Sequence, residues 1–475
     1  MFQRLIFVTG LLLVWPFSSL ASGLVMNDSE LRDDLLWLSA RGVIRLNLST
    51  WPLSYDEINR ALKKAKPSYS SEQIALARVE QRLVFLKADS RIGGYASTDT
   101  MGIPSGFAQT RFAESALSLA FNAGGEGWDM HLQGNMEKGS QLNKDSTRNV
   151  NGSYGAVEFW NQWLVFGQIP QWWGPGYEGS LIRGDAARPV TGFMLQRALQ
   201  SAPQTWWLRW IGPWQYQVFA GQLTQYTAYP HTRLTGGRLT LSPFSSLEFG
   251  ASRVMQWGGK GRPRSWRYFW EGMVGRDNKG SVREPGNQLA GFDARWNLEP
   301  VFGIPVSFYG QMVGEDEAGF LPSAWTFLGG IEGHHSVGKE AINWYVEVHD
   351  TRADMRRLNT VYTHHIYTDG YYQQGYPLGD ATGGDGQLYA ARIERVSKNN
   401  QRWNIRLIYA KVNPESQSIN KVFPHSDRLK GIELGWRGDV YHSIRLNSSL
   451  WFIRARHSKH DNAGVGVGIE IPFNL

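Results

Sequence analysis

Two stretches of this chain concentrate the residue types that bind polar polymers. Positions 257–286 hold Lys260, Arg262, Arg264, Trp266, Arg267, Tyr268, Phe269 and Trp270. Positions 351–385 hold Arg352, Arg356, Arg357, Tyr367, Tyr371, Tyr372, Gln373, Gln374 and Tyr376. Aromatic rings stack on the flat C–H faces of sugars, amides pair with sugar hydroxyls, and Arg pairs with the carboxylate of an acidic sugar. Arg264, Trp266, Arg267, Tyr268, Tyr371, Tyr372, Gln373 and Gln374 are therefore the candidate polysaccharide-binding residues. The competing use of the same side chains is packing, either as a lid over the loops or as an interfacial aromatic girdle. A third dense run, Gln171-Trp172-Trp173-Gly174-Pro175-Gly176-Tyr177-Glu178-Gly179, reads as a folded plug or lid. Its Gly and Pro fix a tight path while Trp and Tyr supply bulk.

Other chemistry finds less support. His334-His335 and His364-His365 are adjacent pairs, and neighbours in a strand point to opposite faces, which suits no shared ion. Glu315-Asp316-Glu317 and the acids of 380–385 lack calcium-loop spacing and read as solvated loop acids. No G-x-S-x-G nucleophile motif occurs, so no catalytic residue is named and no enzyme is expected; a hydrolase triad built across strands stays as a minor reading. The chain has no cysteine, which excludes disulfides and thiolate metal sites. Neither a metal nor a cofactor is expected.

These residues need a scaffold, and the N-terminus indicates where it works. Arg4, the apolar run Leu5–Trp15 and the small residues ending at Ala21 form a secretory signal, predicted to be cleaved after Ala21. The run is shorter than the roughly 20 apolar residues of a spanning helix. The 475 residues include 21 Trp and 53 Gly, with net charge +7 and mean hydropathy −0.37. That balance suits a barrel whose polar lumen positions alternate with lipid-facing ones. The positive charge favours anionic partners, and export to the envelope argues against nucleic acid.

Residues 22–89 predict three short helices. Asp28 or Ser29 caps the first, with Leu31, Leu35, Leu36 and Leu38 inward. Ser54-Tyr55-Asp56-Glu57 reads as a capping box for the second, and Ser70-Ser71-Glu72-Gln73 repeats the device for the third. Their core is too small to stand alone, so they should pack on something larger. From about Arg91 the period becomes two: Val465, Val467, Ile469 and Ile471 alternate with Gly464, Gly466, Gly468 and Glu470. Short turns near Gly124-Gly125, Asn161, Gly212-Pro213, Ser242-Pro243, Glu299-Pro300, Gly338-Lys339, Asn399-Asn400 and Gly438-Asp439 alternate with longer loops, among them 170–202 and 315–324. The expected fold is all-β: a transmembrane antiparallel barrel of about 18 strands over 90–475, with an N-terminal periplasmic three-helix bundle. An even count returns both barrel ends to the periplasm, leaving the long loops extracellular.

Several runs resemble the outer-membrane capsule assembly protein Wzi family over essentially the whole chain. They include Leu48-Ser49-Thr50-Trp51-Pro52-Leu53-Ser54, the stretch Gln171–Ala186, Gly330-Ile331-Glu332-Gly333-His334-His335 and Gly370–Asp380. The resemblance implies an occluded 18-stranded barrel with a periplasmic bundle. It also implies a lectin attaching acidic, group 1 type capsular polysaccharide to the cell surface, among outer-membrane lipid and lipopolysaccharide. Contact between the helices and the capsule export machinery stays open, and no residue-level binding motif comes with the family. The alternative is a diffusion channel for anionic sugars, lined by Arg406, Arg437 and Arg445, unless acids such as Glu433 and Glu470 lock a filled lumen.

Overall fold

From Ser90 to Phe473 the period-two pattern becomes eighteen antiparallel strands in one closed barrel. Thr147–Asn149 and Tyr154–Phe159, which both pair with Trp128–Ser140, count as one interrupted strand. The computed structural model describes residues 23–142, 147–273, 286–318, 321–441, 444–456 and 461–473; the expected signal, 1–21, lies outside them. The last strand, Asn462–Phe473, pairs with the first, Ser90–Ser97, and so closes the sheet. Lipid offers no hydrogen bonds, so only closure satisfies both edges. Val465, Val467 and Ile469 of the last strand are exposed on the outer wall, as are Trp403, Ile405 and Leu407 of Arg402–Val412. Arg402 and Arg406, which alternate with them on the same strand, are buried inside. The outside is an apolar belt and the inside is charged.

Some connections differ from the sequence reading. Ser242 and Pro243 belong to the strand Arg233–Phe244, and the turn falls two residues later. Gly438-Asp439 lies within the strand Asp427–Tyr441. The expected loop 170–202 contains a strand, Thr191–Arg197, and the expected loop 315–324 is mostly paired strand, with Asp316 opposite Ser323. In each case ladder hydrogen bonds extend the strand past residues that favour turns in isolation.

The helices form as expected, but one of them sits differently. They are α1, Ser29–Ala40; α2, Tyr55–Lys63; and α3, Ser70–Leu86. Asp28 caps α1 by accepting from Leu31 N at 2.8 Å. Glu72 reaches back to Ser68 N and Tyr69 N, so Tyr69 is the N-cap of the third helix. The Ser54 box does not close: its hydroxyl makes no cap bond, and Glu57 instead accepts from Gln200 N and Arg60. Although α1 buries Leu31, Leu35, Leu36 and Leu38 as expected, its polar side is buried too, including Glu30, Arg32, Asp33 and Asp34. A charged helix face buried this deeply needs charged partners.

The barrel wall supplies them. Arg402 contacts Asp34, Glu30 and Glu394; Arg445 pairs with Glu30; and Arg392 bridges Asp33 and Glu394. From the other side Arg78 and Arg82 of α3 hold Asp34 at 2.7 Å and Asp28 at 2.6 Å. Burial alone would raise the Glu30 carboxyl; Arg82, Arg445, Arg402 and Arg437 override it and hold it well below the usual range. Asp34 is lowered in the same way, with burial opposed by Arg402 and Arg78. For Asp33 burial wins over Arg392, and the carboxyl is pushed up to about 6. The apolar core is continuous across the junction, running from Leu31, Leu35 and Trp37 to Phe107, Trp172, Trp173 and Tyr177.

Removing one member of this network leaves buried charge behind. Arg402→Met should cost about 3–5 kcal/mol at neutral pH, read by chemical unfolding in detergent. Because Glu30 and Asp34 have depressed folded pKa values, their contribution is full above the ordinary carboxylate range and declines as pH falls below it. The penalty of Arg402→Met should therefore shrink between about pH 5 and pH 2. A cost within about 0.5 kcal/mol at neutral pH, as for an ordinary surface change, would contradict this account.

Candidate functional site

Inside the barrel the Gln171–Gly179 run is a plug. Arg32 of α1 donates to the carbonyls of Pro175 at 3.0 Å and Gly176 at 2.7 Å. Its guanidinium lies over Phe107, 4.3 Å from the ring centre, and near the Trp172 and Tyr177 rings. Glu347 on the wall accepts from Tyr177 N at 2.7 Å and Glu178 N at 2.8 Å, while Glu178 takes Arg406 Nε at 2.9 Å. Gln311 accepts from Leu181 N and donates to Trp173 O, both at 2.8 Å. The glycines are needed for this path. A Cβ at Gly176 would lie 2.4 Å from the Gly179 carbonyl oxygen. Arg406, Arg437 and Arg445, which might have formed an anion path, all face carboxylates.

The long loops are seated on the plug. Tyr362 and Tyr371 donate their hydroxyls to the Leu181 and Ile182 carbonyls, the latter at 2.8 Å, and Gly184 N donates to Leu378 O. Asp380 is 2.7 Å from His349 Nδ1 and accepts from Thr382 N. Tyr226 donates to Gly370 O at 3.0 Å, which ties the loop at 223–232 to the same cap. Arg262 lies near the Tyr229 and Tyr367 rings, and Tyr367 donates to Gly258 O, so the segment after 257 leans on it as well.

The candidate residues fall into two environments. Arg264, Trp266 and Arg267 are exposed and Tyr268 is half-buried, the last three on a short helix, α4, Trp266–Met273. Trp266 keeps 72% of its surface open. Phe269 pins the group from below, with ring centres 5.2 Å from Trp257 and 5.4 Å from Trp266 and Trp270. Arg267 reaches Glu271 at 2.9 Å, leaving most of the side chain in solvent. Tyr371, Tyr372 and Gln373, by contrast, are buried. The Tyr372 hydroxyl accepts from Gly384 N, and Gln373 and Gln374 both donate to Thr224 Oγ1, at 2.9 and 3.0 Å. Tyr371 and Tyr372 therefore present no ring face for stacking in this conformation, and only Gln374 of the four is partly open.

Several of these histidines and acids have internal partners, and Asp380 and Asp385, expected as solvated loop acids, are buried. His335 Nε2 accepts from Trp344 Nε1 at 2.9 Å, and His334 faces Glu332 and Asn343. His364 Nδ1 accepts from Ile366 N and Tyr367 N; burial, then His365, pulls its pKa down to about 4, so it is neutral at physiological pH. Asp385 accepts from Asn359 N, and burial raises it to about 6. Among the described residues no group of three or more His, Asp or Glu is arranged to hold a metal. Sequence reasoning missed Arg32, Asp34 and Glu178 as the residues that hold the site together. Their only signal was charge at positions where a helix or loop should have been apolar or solvated.

Known proteins are similar to this chain in sequence and overall fold. The model of the family "Capsule assembly protein Wzi" matches residues 91–463. A Klebsiella pneumoniae protein of 55.8 kDa from the cps region is 66% identical over 472 residues, covering 99% of this chain and 94% of that one. A solved structure of Wzi, described as an outer membrane protein involved in group 1 capsule assembly in Escherichia coli and as a carbohydrate-binding β-barrel, is also 66% identical. It covers 95% of this chain and 100% of its own, with a TM-score of 0.91.

The two environments predict opposite responses to truncation. Tyr371→Ala should lower unfolding stability in detergent by about 3–5 kcal/mol, as for a buried aromatic, whereas Trp266→Ala should stay within about 0.5 kcal/mol. Equal losses would contradict the placement of one ring in the core and the other in solvent.

Proposed function

The chain belongs to the capsule assembly protein Wzi family, and from that premise we propose that it is an outer-membrane lectin that binds capsular polysaccharide and attaches it to the cell surface. The matched family is one of capsule assembly, not of catalysis, and the solved relative is described as binding carbohydrate. The long loops face outward, and α1–α3 face the periplasm. The observation that carries the reading is the exposed aromatic–basic surface of residues 264–270, held by Phe269. Trp266, Trp270 and the half-buried Tyr268 offer ring faces to sugars, while Arg264 and Arg267 meet the carboxylates of an acidic polymer. Tyr371, Tyr372, Gln373 and Gln374 support this surface by fixing the cap beneath it; of these only Gln374 is placed to touch the polymer directly. A repeating polymer adds many weak contacts by avidity. The same cations can meet lipopolysaccharide phosphates, so the test needs both ligands.

Purified capsular polysaccharide should bind the nanodisc-embedded protein saturably in surface plasmon resonance, and more weakly at high salt. The variant Arg264→Ala/Trp266→Ala/Arg267→Ala/Tyr268→Ala should retain its fold and lose at least tenfold in affinity, about 1.4 kcal/mol. Capsule-free lipopolysaccharide should not compete. No binding by the native protein, or full competition by lipopolysaccharide, would remove the lectin assignment.

A further inference from the structure

The plug does not fill the whole lumen. Beside the closing strands, where Gly464, Gly466 and Gly468 face inward, a crevice of about 340 Å³ runs from the 98–112 loop towards the N-terminus of α1. A second space of about 400 Å³ adjoins it and shares Tyr95, Arg111 and Asn447 as lining. Gly468 borders the second space, and the glycines leave room for the lining side chains. A Cβ at Gly468 would lie 2.6 Å from Asn447 Nδ2, and one at Gly466 would lie 2.9 Å from the Tyr95 hydroxyl. The volume falls within the range of about 300–1,000 Å³ typical of small-molecule sites.

The lining is cationic and rich in hydrogen-bonding groups. Six arginines and four carboxylates line the first crevice. Five of these arginines are ion-paired; Arg111 has no carboxylate within ion-pair distance among the described residues. Its guanidinium lies 3.6 Å from the Tyr95 ring centre and donates weakly to Asn447 Oδ1 at 3.4 Å. Arg111 is solvent-exposed where it lines the crevice. Arg82 is nine-tenths buried, and its Nη1 also borders the space without a hydrogen-bond partner among the described residues. Thr110, Asn404, Asn447 and Ser449 add hydroxyls and amides. A buried guanidinium edge without a partner, as at Arg82 Nη1, is costly, while the accessible Arg111 guanidinium, which has no carboxylate partner, is free to take a bidentate carboxylate.

We propose that this crevice is a subsite for one acidic sugar residue, a uronate at a chain end or on a side branch, whose carboxylate pairs with Arg111 and whose hydroxyls meet Asn404, Asn447, Thr110 and Ser449. It rests on the polysaccharide-binding reading and adds a specificity site to it. The crevice lies inside the barrel wall, so it takes a terminal residue and not the polymer backbone. The loop surface at 264–270 holds the chain by avidity, and the crevice selects its charge and its end.

The test uses free glucuronate, with galactose and acetate as comparisons, on the full chain in detergent by isothermal titration calorimetry. Glucuronate should bind saturably, at least tenfold more tightly than either comparison, and Arg111→Gln should lose at least tenfold. A second readout uses the absence of native cysteine: Ser449→Cys provides a single thiol, and glucuronate should slow its reaction with a methanethiosulfonate reagent. Acetate binding as tightly as glucuronate, glucuronate binding unchanged in Arg111→Gln, or no protection of the thiol would overturn the proposal. If capsular polysaccharide binds while glucuronate does not, the subsite fails and the lectin reading stands; if neither binds, both fail.

Discussion

The pairing of α1 with the arginines of the barrel wall is the constraint on which the rest of the molecule depends. Arg402 has 1% of its side chain exposed and touches three carboxylates, one from the wall and two from the helix. Charges buried this deeply are tolerated only when paired, because desolvation costs several kcal/mol per ion and unpaired partners recover none of it. The helix therefore cannot withdraw without stranding charge on both sides. Once α1 is fixed, Arg32 is fixed, and with it the carbonyls of Pro175 and Gly176. The plug then presents the carbonyls of Leu181 and Ile182 to Tyr362 and Tyr371. Order passes from the helix to the plug, from the plug to the cap, and from the cap to the segment that carries Trp266.

This chain of contacts suits a binder better than a pore. A diffusion channel needs an open path with weakly held charges, whereas the lumen arginines here are mostly consumed in pairs. A surface that grips a polymer gains from rigidity, because side chains already held in place lose less entropy on binding. Phe269, wedged among three tryptophans, holds the ring group in that way. Among the described residues, residual space remains beside the closing strands.

The barrel was legible in the sequence because its signal is local. Val465, Val467 and Ile469 alternate with glycines within one strand, and lipid imposes the same rule on every strand. Asp28 was legible as a cap for the same reason, since its partner Leu31 is three residues away. The burial of Asp34 was not, because Arg402 lies far along the chain and nothing near Asp34 announces it. Ser54 misled because Glu57, free to close a capping box in an isolated peptide, is drawn instead to Gln200 N. The candidate site divides along the same line. Trp266 and Tyr371 belong to similar basic–aromatic stretches, and composition gave them equal weight. Their environments separate only when the plug, placed by a distant helix, provides a carbonyl for Tyr371 and none for Trp266. Arg111 escaped notice altogether, as its meaning depends on the carboxylate it lacks.

The measurement that tests the central claim most directly is conductance of the native protein reconstituted in planar bilayers. A lumen blocked by an ion-paired plug predicts no steady open current at moderate voltage in physiological salt. A stable, voltage-independent open conductance would contradict it, returning the lumen arginines to the role of a path for anions.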